Sequence, residues 1–369
     1  MQQDERAEAR DPACAAFPVS PVMPHHGSSL LLDLWRLNRR LMPLRCPLCN
    51  ADAPVEIVRR DRYLLDVRLS VCGVCGMTYL ARGMKAEAAA SFYGGLYQRL
   101  MRTAGRDPAA IGAQRLAAGY RAHVLRQVIG SLDEILDIGT GLGFFLDACR
   151  LSGSRFYHGI EPGSVQRRYA EAELGLGGHV DGDDLTAARA LPFRPRIVTL
   201  FHVLEHFEDP GSILSLVAGH LPPDGWLVIE VPDVSDWSKL GLQHVHVSHR
   251  SYFTPETLGR ALARHGFVVV REDREEHGIH PGNLRVFARP GAARNVAASD
   301  VDASGLAAES RRRIDAFAIT TGYPRSVIRL LRLAAEGNRQ SLASGVGDQH
   351  GSPAGRGRGP DSSAPYGGR

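Results

Sequence analysis

The sequence predicts an α/β fold built on a mainly parallel sheet, and three observations support this prediction. From about residue 134 to 290, short apolar runs alternate with stretches of helical length and pattern, which is typical of strand–helix–strand units. A glycine-rich turn over residues 139–143 follows the first of these runs, as expected where a strand enters a helix at a ligand site. At 369 residues and 44% hydrophobic content, the chain has room for a sizeable core and more than one domain.

The elements of this sheet follow from their local patterns. The predicted strands cover 134–138, 155–161, 196–202, 225–231, 267–272 and 284–289. The predicted helices cover 143–152, 164–174, 210–220 and 255–265. Asp209-Pro210 and Thr254-Pro255 each supply an N-cap followed by a first-turn proline for the last two of these helices.

Changes in composition divide the chain into six segments. Residues 1–42 and 344–369 are predicted to be disordered because Ala, Pro, Gly and Ser dominate them, with one short basic amphipathic turn around Leu31–Leu41. Between these ends we expect a cysteine module over 43–82, a helical linker or cap over 83–130, the α/β domain over 131–292 and a helical extension over 293–343. We expect the sheet to have its own core, so that it folds without the cysteine module.

Charge and composition exclude several classes of protein. The formal net charge of +4 is small for this length and gives no concentrated basic patch for nucleic acid. The sequence contains no apolar run long enough for a membrane span, and its first ten residues are too polar for a secretory signal. Six cysteines in so long a chain do not resemble a secreted disulfide framework. We therefore expect a cytoplasmic protein.

Four of the cysteines form two C-x-x-C pairs, Cys46/Cys49 and Cys72/Cys75. Two such turns deliver the four thiolates that tetrahedral zinc requires, and a hairpin would accommodate the 22 residues between them. The alternative is four reduced cysteines without a metal. Because four thiolates leave no open position for a substrate, we expect any zinc there to be structural.

Acidic residues follow the predicted strands near the glycine turn. Asp137 stands two residues before Gly139, and Gly141 and Gly143 follow. The glycines let the backbone approach a ligand closely, and a carboxylate at that strand end suits a cationic ligand better than a pyrophosphate. Glu161 ends the second strand, where a carboxylate can accept hydrogen bonds from both hydroxyls of a ribose.

This pattern resembles the first motif, acid-x-Gly-x-Gly-x-Gly, of the class I methyltransferases that depend on S-adenosylmethionine (SAM). The resemblance implies a Rossmann-like class I methyltransferase sheet, with a small N-terminal zinc-binding module and a C-terminal helical extension around it. It implies that the three glycines line the methionine part of SAM with Asp137 nearby, and that Glu161 binds the ribose. It also implies an acid near the adenine amino group, either Asp183 or Asp184.

Histidines follow the fourth and fifth strands. Leu204-Glu205-His206 resembles a segment that faces the methyl-transfer site in many small-molecule methyltransferases. His206 there is either a proton acceptor or, with Glu205, a hydrogen-bonding brace for the loop. His244, His246 and His249 could instead form a metal site, although their spacing is not helical.

The cysteine module, the SAM motif, the His-x-x-x-Phe-Thr segment beginning at His249 and the late strand over 282–287 together resemble the sugar C-methyltransferases. These enzymes have an N-terminal zinc-binding domain and act on nucleotide-linked deoxysugars. The resemblance places the proton-accepting histidine at His249. The family's preceding Tyr-Asp-Glu triplet is His246-Val247-Ser248 in this chain, so C-, O- and N-methylation remain open.

Together these patterns predict a SAM-dependent methyltransferase that acts on a small-molecule acceptor, with a sugar or related metabolite as the leading class and His249 or His206 as the base. Two alternatives remain: an RNA methyltransferase that grips RNA with its zinc module, and a non-catalytic scaffold. A poorly basic module disfavours the first, and the intact glycine turn with Glu161 disfavours the second.

Overall fold

A computed structural model describes residues 30–101, 108–182, 191, 193–235, 241–274, 282–294 and 301–317. The N-terminal part contains α1 (Leu30–Arg40), β1 (Met42–Pro43), β2 (Pro54–Arg60), β3 (Asp66–Cys72), β4 (Thr78–Leu80) and β5 (Arg82–Gly83). The helices α2 (Ala86–Ser91), α3 (Tyr97–Met101) and α4 (Pro108–Ile129) follow, with a π-helical turn at Phe92–Leu96 between the first two.

The α/β domain has a seven-stranded sheet. Its strands are β6 (Ile135–Ile138), β7 (Tyr157–Ile160), β8 (Val180–Asp181), β9 (Ile197–Phe201), β10 (Trp226–Val231), β12 (Phe267–Arg274) and β13 (Leu284–Pro290). The spatial order is β12-β13-β10-β9-β6-β7-β8. β13 pairs antiparallel with both of its neighbours, whereas the pairs from β10 to β8 are parallel. The predicted mainly parallel α/β sheet is confirmed.

The helices lie close to their predicted positions. They are α5 (Phe144–Leu151), α6 (Ser164–Glu173), α7 (Pro210–His220) and α8 (Pro255–Arg264). The Asp209 side chain accepts hydrogen bonds from the amides of Gly211 and Ser212, and the Thr254 side chain accepts one from the amide of Thr257. Both predicted N-caps therefore form.

The segment predicted to be disordered over 1–42 ends in a helix. In α1, Leu30, Leu34 and Leu37 are buried because their spacing forms one apolar stripe along the helix. This helix confirms the amphipathic turn predicted around Leu31–Leu41, and the disorder prediction for 1–42 does not hold over 30–40. Residues 1–29 and 344–369 lie outside the described residues.

The cysteine module shares one buried cluster with the α/β sheet, while a second cluster lies within the α/β domain and α4, so folding of the sheet without the module stays a prediction. Cys46, Cys72 and Met77 belong to the same buried cluster as Leu136 and Leu200 of the central sheet. A short strand, β11 (Ser251–Tyr252), pairs antiparallel with β4 and thereby joins the sheet of β2, β3 and β4. The sequence pattern could not reveal this pairing because β11 is two residues long and stands far from the module in the chain.

The chain ends its described part in α9 (Ala303–Phe317), which contacts β2 and β3. This helix lies within the predicted extension over 293–343, of which 318–343 fall outside the described residues. None of the described helices is long and apolar enough to cross a membrane.

Candidate active site and cysteine centre

The glycine turn after β6 adopts a backbone that requires glycine. Gly139, Gly141 and Gly143 have φ of 73°, 59° and 85°, in the left-handed region that side chains disfavour. A Cβ on Gly139 would lie 2.4 Å from a methyl carbon of Val203, so the turn packs directly against the end of β9. The position of a Cβ on Gly141 faces open space, which leaves room for a ligand above the turn.

Glu161 is fastened to this turn. Its carboxylate accepts hydrogen bonds from the amide of Gly141 at 2.8 Å and from the amide of Gly163 at 2.7 Å. Burial raises the pKa of Glu161, and the two amides oppose that change. A carboxylate fixed beside an open glycine turn fits the adenosyl ribose of SAM, because each of its oxygens retains acceptor capacity.

Asp137 lies deeper than Glu161. It is 3% exposed, and its Oδ1 accepts a hydrogen bond of 2.6 Å from the hydroxyl of Thr199. Burial raises the pKa of Asp137 to about 6, against the opposing effect of Thr199. Its role toward a ligand stays a prediction. Asp183 and Asp184, the two candidates for the adenine contact, lie outside the described residues.

The four cysteines of the two C-x-x-C pairs converge. The Sγ atoms of Cys46 and Cys75 are 3.5 Å apart, as are those of Cys49 and Cys72, and all four Sγ atoms lie within 4.8 Å of one another. None of the four is in a disulfide. Zinc–sulfur bonds of about 2.3 Å in a tetrahedron separate the sulfurs by about 3.8 Å, so the donor set fits zinc.

Two of the predicted histidines meet beyond the glycine turn. His206 ends a 3₁₀ turn, Leu204–His206, that follows β9, and its ring lies edge-on to that of His249 with centroids 4.8 Å apart. Its Nδ1 donates to the carbonyl oxygen of Ser248 at 2.9 Å, which leaves Nε2 with the free lone pair. The Tyr93 hydroxyl lies 3.3 Å from the same Nδ1.

Both rings are held in the neutral form. Burial lowers the pKa of His206, with Glu205 opposing. Burial lowers the pKa of His249 well below its ordinary value, and a proton on His206 or the charge of Arg62 lowers it further. A neutral imidazole can accept a proton, so this pair can act as a general base.

The three histidines after β10 do not gather into one metal-ligand group among the described residues. Nδ1 of His244 accepts from the amide of Gly241 at 2.9 Å, and Nδ1 of His246 lies 2.5 Å from the Ser248 hydroxyl. His249 instead groups with Glu205 and His206, since one carboxylate oxygen and one nitrogen of each ring all lie within 4.8 Å of one another.

Comparison with known proteins agrees with this geometry. Residues 96–272 match the family model described as a methyltransferase domain. Over these residues the chain is similar to a methyltransferase domain. The predicted enzyme class, a SAM-dependent methyltransferase, is confirmed at the level of this domain.

The methyltransferase domain has relatives of two named kinds. C-methyltransferase NovU of Streptomyces niveus is 29% identical over 168 residues, which are 44% of this chain and 38% of the relative. A ubiquinone biosynthesis O-methyltransferase of Leptothrix cholodnii is 26% identical over 125 residues, which are 30% of this chain and 49% of the relative. The chain thus spans less than half the length of either. A SAM-dependent methyltransferase structure from Archaeoglobus fulgidus is 20% identical, with a TM-score of 0.40, and covers 50% of this chain and all of that one.

Sequence reasoning missed a charged group beneath the histidines of the methyltransferase domain. Glu230 on β10 is fully buried, and its Oε1 accepts a bond of 2.5 Å from Arg121 on α4 and lies 3.2 Å from Nε2 of His202. Sequence reasoning also gave no role to Tyr93, whose hydroxyl lies against His206. His202 ends one predicted strand and Glu230 is the last residue but one of another, which is the one signal that could have identified them.

Proposed function

We propose that the protein transfers a methyl group from SAM to a small-molecule acceptor that loses a proton, with a hydroxylated or keto-sugar-like compound as the leading class. One observation carries the proposal: Gly139 of the glycine turn packs against Val203, and the next three residues form the 3₁₀ turn that brings His206 to His249. A cofactor site and a proton acceptor therefore share one edge of the sheet.

Each part of this edge has a distinct task. SAM supplies an already activated methyl group when it is bound. Glu161 and the glycine turn would hold its ribose and methionine part, which leaves alignment of the acceptor as the main contribution of the protein. His249, or His206 beside it, would take the proton that the acceptor loses. The relatives named C- and O-methyltransferases support this assignment of a small acceptor.

We also propose that the cysteine centre binds one structural zinc through Cys46, Cys49, Cys72 and Cys75. The convergence of their four Sγ atoms supports this. Since all four positions of a tetrahedral ion are then taken, the zinc would stabilise the module and take no part in methyl transfer.

The test is transfer from methyl-labelled SAM to a panel of nucleotide-linked sugars, small hydroxylated metabolites and bulk RNA, with His249→Asn in parallel. We expect label in at least one small molecule, and far less of it with the variant. Label found in RNA alone, or no transfer to any acceptor by protein that binds SAM, would overturn the proposal.

A further inference from the structure

Glu205 is a buried carboxylate that is short of partners. It is 1% exposed, and neither of its oxygens receives a hydrogen bond from the described part of the chain. A buried carboxylate without donors is costly, so the fold retains this one against its own stability. Such a group calls for a partner of opposite charge, either present permanently or formed during the reaction.

A permanent partner lies on one side of Glu205. His202 Nδ1 is 3.5 Å from Glu205 Oε1, and His202 Nε2 is 3.2 Å from Glu230 Oε1. Burial alone would lower the pKa of His202, but the two carboxylates outweigh it and raise that pKa to about 9. Glu230 is paired in turn with Arg121, so charges alternate along a row from α4 to the 3₁₀ turn.

The backbone conformation of His202 indicates that the surrounding structure enforces this row of charges. His202 has φ of 58°, a conformation that costs a non-glycine residue free energy and persists only where its surroundings enforce it. Its amide donates to the carbonyl of Glu230 at 2.8 Å, and Asn283 lies beside its ring. These contacts hold the ring between the two carboxylates.

On its other side Glu205 faces the proposed base. One of its oxygens lies within 4.8 Å of a ring nitrogen of both His206 and His249. We infer that Glu205 is a positioning residue that stabilises the imidazolium formed when His249 or His206 accepts the proton of the acceptor molecule, and that His202 balances its charge from behind. The proton moves from the acceptor to a ring nitrogen, and Glu205 stays a carboxylate throughout. This inference rests on the proposed function.

Other titratable and charged groups also face these rings. They are Tyr93, Tyr97, Arg62, Tyr252, His244, His246 and Arg250, the last with Glu208. Two further carboxylates lie near this loop: Glu208, 4.0 Å from Arg250, and buried Asp61, which accepts a hydrogen bond from the amide of Val247. Glu205 is the carboxylate with an oxygen within 4.8 Å of a ring nitrogen of both histidines.

The test compares Glu205→Gln, Glu205→Asp and the matched control Glu208→Gln, since Glu208 follows the same turn and is half exposed. With Glu205→Gln we expect kcat to fall about 10- to 100-fold, with KM and S-adenosylhomocysteine affinity unchanged. The acid limb of the pH–rate profile should move to lower pH, because a histidine without its carboxylate loses its proton more readily. In Glu205→Asp the acid limb of the pH–rate profile should lie close to its wild-type pH. Glu208→Gln should behave as wild type.

Histidine titration followed by NMR provides a readout that does not need turnover. The pKa of His206 or His249 should drop in Glu205→Gln. This change can be measured even if the protein methylates no acceptor. A pKa drop without methyl transfer would contradict the proposed function and leave the role of Glu205 intact. Active protein with an unmoved histidine titration and pH profile would overturn the inference. So would a second equivalent of bound metal in the wild type that is lost in Glu205→Gln, since Glu205 would then be a metal ligand.

Discussion

The cofactor end and the acceptor end of the proposed site are built in different ways. The glycine turn and Glu161 lie within 25 residues of each other, on adjacent parallel strands of one sheet. The acceptor end combines Tyr93, the turn after β9 and the loop that carries His249, three segments that are far apart in the chain. One end is fixed by local pattern, and the other depends on long-range packing.

The cysteine module supplies much of that packing. The amide of Val247 donates to Oδ2 of buried Asp61 at 3.0 Å, and the amide of Arg62 donates to the carbonyl of Val245 at 3.1 Å. The strand β11, which begins two residues after His249, pairs with β4. The module therefore braces the histidine loop, whereas these contacts do not involve the glycine turn. This contrast implies that damage to the module should separate activity from cofactor binding.

Loss of the proposed zinc should produce the largest effect. Structural zinc contributes on the order of 10 kcal/mol in small zinc-binding modules, and here the module shares its core with the sheet. The double variant Cys46→Ser/Cys75→Ser should lose one equivalent of metal by elemental analysis, unfold at lower temperature and lose methyl transfer before it loses S-adenosylhomocysteine binding.

The control for this variant is Cys149→Ala, which removes a buried thiol of α5 outside the cysteine cluster. It should keep the metal. A wild-type protein that is folded and active without metal would contradict the zinc proposal, and simultaneous loss of binding and activity would show that the two ends are not separable.

Replacing the proposed base should affect the acceptor end alone. His249→Asn retains a polar side chain but cannot accept the proton, and a general base contributes about 100- to 10,000-fold in rate. We expect kcat to fall by that factor while calorimetry gives an unchanged affinity for SAM. His265→Asn serves as the control, because His265 is hydrogen-bonded to Ser215 and lies outside the histidine pair. Activity within a few-fold of wild type would remove His249 as the base.

The buried acid at the cofactor end should make stability depend on pH. Asp137 has a pKa of about 6 against an ordinary value of 3.8, so the unfolded chain ionises first as pH rises. The protonated carboxyl group contributes its full share of the free energy of unfolding below about pH 4. That contribution, about 3 kcal/mol, is lost as the pH rises to about 6. Denaturant unfolding of ligand-free wild type and Asp137→Asn should show that difference, and parallel pH curves would contradict it.

Glu161→Ala should weaken the cofactor end with a smaller effect. Charge-assisted hydrogen bonds to a ribose are worth about 1.5–3 kcal/mol, which corresponds to about 10- to 150-fold in the dissociation constant of SAM. Calorimetric titration measures it, and Glu173→Ala at the end of α6 is the control. An unchanged affinity would remove Glu161 as the ribose ligand.

The same contrast explains how far the sequence could be read. Six strands, four helices and the glycine turn were predictable because their signals are local periods, caps and glycines. The row of Arg121, Glu230 and His202 was not, because nothing local marks a residue that pairs across 28 or more positions. The sequence named His206 and His249 as two candidates, but only the packing against the module shows that these two rings meet while His244 and His246 contact local partners.

Titration of the purified wild-type protein with SAM and with S-adenosylhomocysteine tests the central claim most directly. The glycine turn, open above Gly141 and flanked by Glu161, predicts one binding site per chain for each compound, with affinity reduced in Glu161→Ala. Folded wild-type protein that binds neither compound would contradict the assignment of the cofactor end and, with it, the proposed methyl transfer.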